Sequence, residues 1–385
     1  MTEGTPKKTV GPILERIIRD SGNEKLYDDL VKMKREDLAS VLITLFEERT
    51  SQLKPADLIR QYESDRFTKP SKIDQRIFVE MDALIARISD TYIDFIELSP
   101  VAPLGANSVL TPINQKTIIA TARNSEVMAD TVTSLALEAS KRRLADRSKS
   151  VYLSTSQREI RAQKYDNDSG FLPHFRAISL VSSEEAQAND EEKMGEIIEK
   201  HLTFYLNILQ AAADQDLVQI KKTTVKLSSL RIFNALLKAQ AIDKTELTRN
   251  THNSNFDFFS TYGIELPKSI SPGEDVDHEL AMRYRITPIL AYLSRVGNPV
   301  FARLQAKFPN VVFEYDLSRI AGMGYYEDLC FTITGENNSG NSFLLASAGS
   351  TKWTEKLMQD PGEKCFAGGM GTELLIGQFT NVDAE

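Results

Sequence analysis

The chain has 385 residues, 41% hydrophobic and 26% charged, with a formal net charge of −8, which fits one large or two medium globular domains. The acidic balance excludes a protein that coats nucleic acid nonspecifically, because phosphate binding needs a basic surface. Two cysteines and four scattered histidines give neither a disulfide framework nor a metal site, and no apolar run or signal core points to a membrane, so the expected location is cytoplasmic.

Residues 8–66 read as helices, because Ile13, Ile17 and Ile18, then Leu26, Leu30 and Met33, then Leu38, Val41, Leu42 and Leu45 recur at spacings near three and four. Pro55 suits the first turn of a further helix over 54–62. Pro70 ends this module and Ser71 is placed to cap the next helix. That longer helix is predicted from the stripe Ile73, Ile77, Met81, Leu84, Ile85, Ile88 and Tyr92, leading into a strand that ends at Pro100. Next come a strand at 117–121 and a helix with Val127, Leu135, Leu137 and Ala139 on its apolar face, capped by Ser125 or Asp130. Segments 151–155 and 158–163 read as strands, 165–173 as a polar loop and 175–181 as the returning strand. An acidic connector over 182–199 precedes helices at 193–213, 215–222, 225–240 and 243–248 and a long surface loop to 277. Helices resume over 278–307, interrupted at Gly297-Asn298-Pro299, and 311–379 reads as strands with a short helix at 351–358 and a closing helix or turn after Gly371.

Polar side chains concentrate in 123–176. Arg123, Glu126, Asp130, Thr133 and Glu138 come from a loop and the helix after it; Arg158, Arg161 and Gln163 come from a strand; His174 and Arg176 come from its partner. The period of two puts Arg161 and Gln163 on one face, opposite Arg158. Two guanidinium groups converging from paired strands repel unless an anion or a carboxylate lies between them, so Arg161 and Arg176 are expected to line an anion-accepting pocket with Gln163 and Glu138 nearby. Segment 141–164 carries eight Lys or Arg against two Asp or Glu, which fits either an anion or RNA contact or a solvated face at a helix C-terminus. Tyr325 and Tyr326 are expected on opposite faces of a strand.

Three segments carry a resemblance: V-F-E-Y-D-L-S-R-I-A-G-M-G-Y-Y over 312–326, A-S-A-G-S-T-K-W over 346–353, and F-A-G-G-M-G-T-E-L-L over 366–375. Their order resembles the C-terminal half of the histidyl-tRNA synthetase catalytic domain, with its R-G-L-D-Y-Y, A-G-G-R-Y-D and G-x-G-x-E-R pieces. The helix and strand of 73–100 resemble the first class II synthetase motif, and the strand–loop–strand of 151–181 the second. The resemblance implies an α+β class II synthetase-like domain, a mixed, mainly antiparallel sheet flanked by helices, with an N-terminal helical module (1–70), a first part (71–182), a helical insertion (183–310) and a second part (311–385). It also implies a homodimer built on 73–100 and a pocket for ATP or another nucleotide and an amino acid. Arg161 takes the place of the phosphate-binding arginine, and Gln163 that of the glutamate holding the adenine amino group. Arg123, Glu126, Glu138, His174, Arg176, Tyr325, Tyr326 and Glu373 complete the expected ligand-binding set. No catalytic residue and no metal ligand is assigned.

The departures are at the arginines. Ala321 and Leu374 stand where the family has arginine, Gly324 replaces the aspartate, and no anticodon-binding domain is expected in the few residues after the last motif. Adenylation needs that positive charge, so the chain resembles a catalytically altered paralogue close to the regulatory subunit of ATP phosphoribosyltransferase. The expected function is binding of a small anionic ligand, an amino acid or a nucleotide, in a regulatory or scaffold role that includes a protein partner. The alternatives are a ligase-like enzyme with a repurposed pocket and, less favoured, an RNA-binding module.

Overall fold

The ten-residue strand Val151–Ile160 and its twelve-residue antiparallel partner His174–Glu185 anchor a nine-stranded sheet among the described residues. The computed structural model describes residues 11–89, 92–163, 172–186, 190–243 and 256–380. The strands are β1 (Asp94–Phe95), β2 (Val101–Pro103), β3 (Ser125–Val127), β4 (Val151–Ile160), β5 (His174–Glu185), β6 (Lys222–Ser229), β7 (Ser269–Ile270), β8 (Val311–Asp316), β9 (Leu329–Glu336), β10 (Ser342–Thr351) and β11 (Glu363–Met370). The large sheet runs β1-β4-β5-β11-β10-β9-β6-β8-β7, while β2 and β3 form a separate ribbon. Only β1 with β4 and β6 with β8 pair in parallel; the other pairs of the large sheet are antiparallel. The fold is α+β, a mainly antiparallel sheet flanked by helices.

The chain divides into two units, one of Met1–Asp65 with Ala120–Ser125 and one of everything else. The first contains the helices Pro12–Ser21, Leu26–Lys32, Arg35–Ser51 and Pro55–Ser64. Pro12 and Pro55 open their helices, where a missing N–H costs nothing. None of the four helices contains a buried residue.

The second unit begins with a strap, 66–74, tied down along its length. Arg66 donates to the carbonyls of Gln163 (2.6 Å) and Ala162 (3.3 Å), and the Ser71 hydroxyl meets Glu373. Ser71 is therefore not the cap of the next helix, Gln75–Ile88; the Asp74 carboxylate accepts the backbone N–H of Arg76 and takes that role.

Direct neighbours on antiparallel strands share a face, so the register sorts the sheet into two sides. On the back, Ile178, Leu180, Phe366, Phe331, Ile333, Val225 and Leu227 lie in one apolar core with helices Gln75–Ile88, Glu191–Asp214, Thr287–Lys307 and Thr372–Phe379. On the front, Leu135, Ala136 and Ala139 of the helix Thr131–Ala145 and Trp353 of the short helix Trp353–Met358 cover only Leu153, Val181, Cys365 and Ala367. The next front row runs Thr155, Ser179, Gly369, Ser347, Thr332, Lys226 and Glu314 across seven strands. From Gly369 to Glu314 this row is only half-buried.

Several expectations are corrected. One continuous strand replaces the two read over 151–163, which leaves Arg161 and Gln163 beyond its end. The helices read at 215–222 and 225–240 are a strand, Lys222–Ser229, followed by a helix from Leu230. The segment expected to be a helical insertion thus includes an interior strand of the large sheet, whose T-T-V-K-L-S run suits a pleated surface. Gly297-Asn298-Pro299 lies inside the helix Thr287–Lys307 and does not interrupt it. The strand at 117–121 is absent; Gln115–Thr117 is a 3-10 turn. The acidic connector shrinks, because β5 runs to Glu185 and a helix starts at Glu191. The segment at 243–248 and most of the loop at 165–173 lie outside the described residues.

Candidate functional site

The front of the sheet carries a cluster of polar side chains at the end of β4. Glu159 projects from the end of β4, 2% exposed, and its Oε1 accepts both the backbone N–H (2.8 Å) and the hydroxyl (2.7 Å) of Thr131. Thr131 opens the front helix and its Oγ1 also meets the Ser179 hydroxyl at 2.6 Å. Arg161 stands two residues after Glu159 on the same face. Its Nε donates to the Ala129 carbonyl (2.8 Å), and its Nη2 lies 3.3 Å from Glu159 and 3.6 Å from Asp130. Phe175, the register partner of Glu159, lies under the guanidinium, 5.3 Å from ring centre to Cζ. Asp130 also accepts the Tyr325 hydroxyl at 2.8 Å. Burial, opposed by Arg161 and reinforced by the Asp130 charge, raises Glu159 from the ordinary 4.5 to about 7.

Tyr325 and Tyr326 are not on opposite faces of a strand. They end a turn, and both backbone N–H groups donate to the Gly322 carbonyl. Gly322 has φ 90°, a left-handed conformation that suits glycine. The two rings meet edge to face at 5.0 Å, and Tyr325 does the same with Trp353 at 5.1 Å. Tyr326 lies flat against the front of β10 at Gly349, where a Cβ would come 2.7 Å from its ring. Its hydroxyl shares a hydrogen bond of 3.1 Å with Ser347.

Arg176 is not beside Arg161. It pairs in register with Arg158, one residue out of phase with Glu159, so both point to the back. There Arg176 meets Asp82 of the helix Gln75–Ile88, and Arg158 meets Glu373 at 2.9 Å. His174 joins this back network: its Nε2 donates to the Lys69 carbonyl (2.6 Å), leaving Nδ1 to accept from Arg158 (2.8 Å). The expected Arg161–Arg176 pocket is therefore split between the two sides of the sheet by the period of two.

The other expected residues separate further. Glu138 pairs with Lys141 and Arg142 on the helix surface. Glu126 is fully buried and accepts from the backbone N–H of Gly105 (2.8 Å) and Asn107 (3.0 Å), fixing the start of the helix Ala106–Leu110. Arg123 belongs to the first unit, with its backbone N–H on the Thr121 hydroxyl. The Gln163 carbonyl holds Arg66. Among the described residues, no cluster of His, Cys, Asp and Glu is suited to a metal ion.

Sequence reading missed Arg319. Its side chain is 8% exposed, its Nε donates to the Ala321 carbonyl (3.0 Å) and its Nη2 to the Ser347 hydroxyl (3.0 Å). It lies in the same L-S-R-I-A-G run in which Ala321 drew attention. A charge set between Leu317 and Ile320 was the available signal.

This arrangement, a long helix and edge strand, an antiparallel strand pair and a final glycine-rich strand running into a helix, is the class II aminoacyl-tRNA synthetase-like catalytic fold. Similar solved structures include an ATP phosphoribosyltransferase regulatory subunit/histidyl-tRNA synthetase from Bacillus halodurans (14% identity, 82% of each chain, TM-score 0.56). A histidine–tRNA ligase subunit from Alicyclobacillus acidocaldarius (13% identity, 80% of this chain and 96% of that one, TM-score 0.55) is also similar. So is histidyl-tRNA synthetase from Nostoc (13% identity, 81% and 74%, TM-score 0.53). No family model and no curated protein sequence matches the chain.

Proposed function

We propose that this protein is a non-aminoacylating, histidyl-tRNA synthetase-like paralogue that binds a small anionic ligand, an amino acid or a nucleotide, on the front of its sheet. Its role in this reading is regulatory or scaffolding, as a homodimer with room for a protein partner. One observation carries it: Arg161, the residue in the phosphate-binding place, is already engaged by Glu159, Asp130 and the Ala129 carbonyl. A triphosphate brought there competes with Asp130 and Glu159 for this guanidinium, and the adenylation transition state loses the cation it needs. Gly369, Ser347 and Thr332, the half-buried part of this front row, are small and supply no activation chemistry of their own.

A ligase-like enzyme is the second reading, favoured by the raised Glu159, which holds a proton near neutral pH. The RNA reading loses its support. Each described Lys or Arg of 141–163 has an acidic partner within 4.0 Å, so the basic run is neutralised locally. The test pairs pyrophosphate exchange across the amino acids with equilibrium dialysis against amino acids and nucleotides. Binding without exchange is the expected result. Exchange above background with histidine overturns the reading, and ATP consumption with another acceptor favours the enzyme.

A further inference from the structure

Arg319 is a buried cation with no counter-charge among the described residues. Its Nη1 has no hydrogen-bond partner among the described residues, and no carboxylate there pairs with the guanidinium. Two acids that could answer it are occupied: Asp316 by the backbone N–H (2.9 Å) and hydroxyl (2.8 Å) of Ser318, and Asp328 by Ser229 and Arg231. Leaving a guanidinium desolvated and unpaired is costly, so a native protein keeps one where something else completes it.

Its surroundings say what that is. Nε and Nη2 are fixed by Ala321 and Ser347, which leaves one amino group, held rigidly on the front face. The Tyr326 ring, carried by the turn 321–326, lies 5.7 Å from Cζ, and Nη1 is buried from solvent. That turn has glycine in the left-handed region at Gly322 (φ 90°) and Gly324 (φ 79°), so it contains positions able to take up a change of backbone angle.

We propose that Arg319 is an anion site, taking a single carboxylate or phosphoryl oxygen on Nη1 when the turn 321–326 lifts. This rests on the reading of the front face as a ligand site. It identifies a cation that serves it in place of Arg161, which its own carboxylates occupy. Ser347 is the positioning residue, because it holds Nη2 and is itself tied to the Tyr326 hydroxyl.

The turn has a built-in reporter. Trp353, the chain's single tryptophan, contacts the Tyr325 ring. The experiment titrates the full chain with acetate, glycine and inorganic phosphate while following tryptophan emission and melting temperature. A saturable emission change and a rise in melting temperature are expected with at least one probe. Response to acetate and glycine alone identifies a carboxylate site, and response to phosphate alone a phosphoryl site. Arg319→Met is expected to lose at least about thirtyfold in affinity, and Arg319→Lys less. Without anion, Arg319→Met melts no lower than the parent, because the unpaired charge is gone. If Arg319→Met does not fold, Ser347→Ala carries the test and is expected to weaken binding. Binding unchanged in these variants overturns the Arg319 site but leaves a ligand site on the front face. No response to any probe in the parent protein overturns the Arg319 site, and dialysis against amino acids and nucleotides then decides the broader reading separately.

Discussion

Arg158 and Arg176 stand opposite each other across β4 and β5, and each is held by an acid from a different helix, Glu373 for Arg158 and Asp82 for Arg176. Glu373 also accepts the Arg176 backbone N–H (2.9 Å) and the Ser71 hydroxyl. One carboxylate thus fastens the closing helix, the strand pair and the strap.

Glu373→Ala is expected to cost about 2–4 kcal/mol, because it strands a partly buried guanidinium and two further donors. Glu373→Gln keeps acceptor capacity and costs less. Urea midpoints of the two variants check this; equal midpoints would remove Glu373 from the network's centre.

Two buried groups oppose each other in pH dependence. Glu159 is raised to about 7, so its folded form keeps a proton the unfolded chain has lost; stability present below pH 4.5 is lost as pH rises toward 7. His201 sits wholly buried on the long back helix, and burial lowers it from 6.5 to about 3; stability present above pH 6.5 is lost as pH falls toward 3. Between pH 4.5 and 6.5 the slopes cancel, each about 1.4 kcal/mol per pH unit. Glu159→Gln is expected to gain stability as pH rises through this window and His201→Gln to lose it. Parallel profiles for parent and both variants would refute the assignment.

Arg161 is expected to behave as a structural cation. Arg161→Met leaves Asp130 and Glu159 facing each other, and is expected to cost about 2–4 kcal/mol near pH 8 and less near pH 5, where Glu159 holds its proton. A variant that folds as well as the parent at both pH values, yet no longer binds ligand, would restore Arg161 to the ligand site.

The homodimer proposed on 73–100 has a local candidate surface. Val79 is 57% and Phe95 37% exposed, and Phe95 lies on β1, whose one described neighbour in the sheet is β4. Val79→Arg with Phe95→Arg is expected to give a monomer by light scattering. A parent protein that is monomeric at micromolar concentration ends the proposal.

The fold was legible where local pattern and tertiary role agree. The stripe from Ile73 to Ile88 is apolar on one face and forms a helix, and A-G-G-M-G runs into the closing helix as its glycines suggest. Lys222–Ser229 was misread because a short run of mixed residues says nothing about its neighbours, and only pairing with β8 and β9 makes it a strand. The site was less legible for a sharper reason. Whether a guanidinium is free depends on which carboxylates converge on it, and those come from distant elements: Asp130 onto Arg161, Asp82 onto Arg176, none among the described residues onto Arg319. Residue type marked all three alike.

The strap sets where the chain can be divided. A shortened protein starting at Arg66 keeps the guanidinium that holds the Ala162 and Gln163 carbonyls and the hydroxyl that meets Glu373. One starting at Gln75 keeps the helix but sheds both ties and the Asp74 cap. The smallest autonomous folding piece built around this sheet therefore begins before its first helix, with a stretch that has no regular secondary structure of its own.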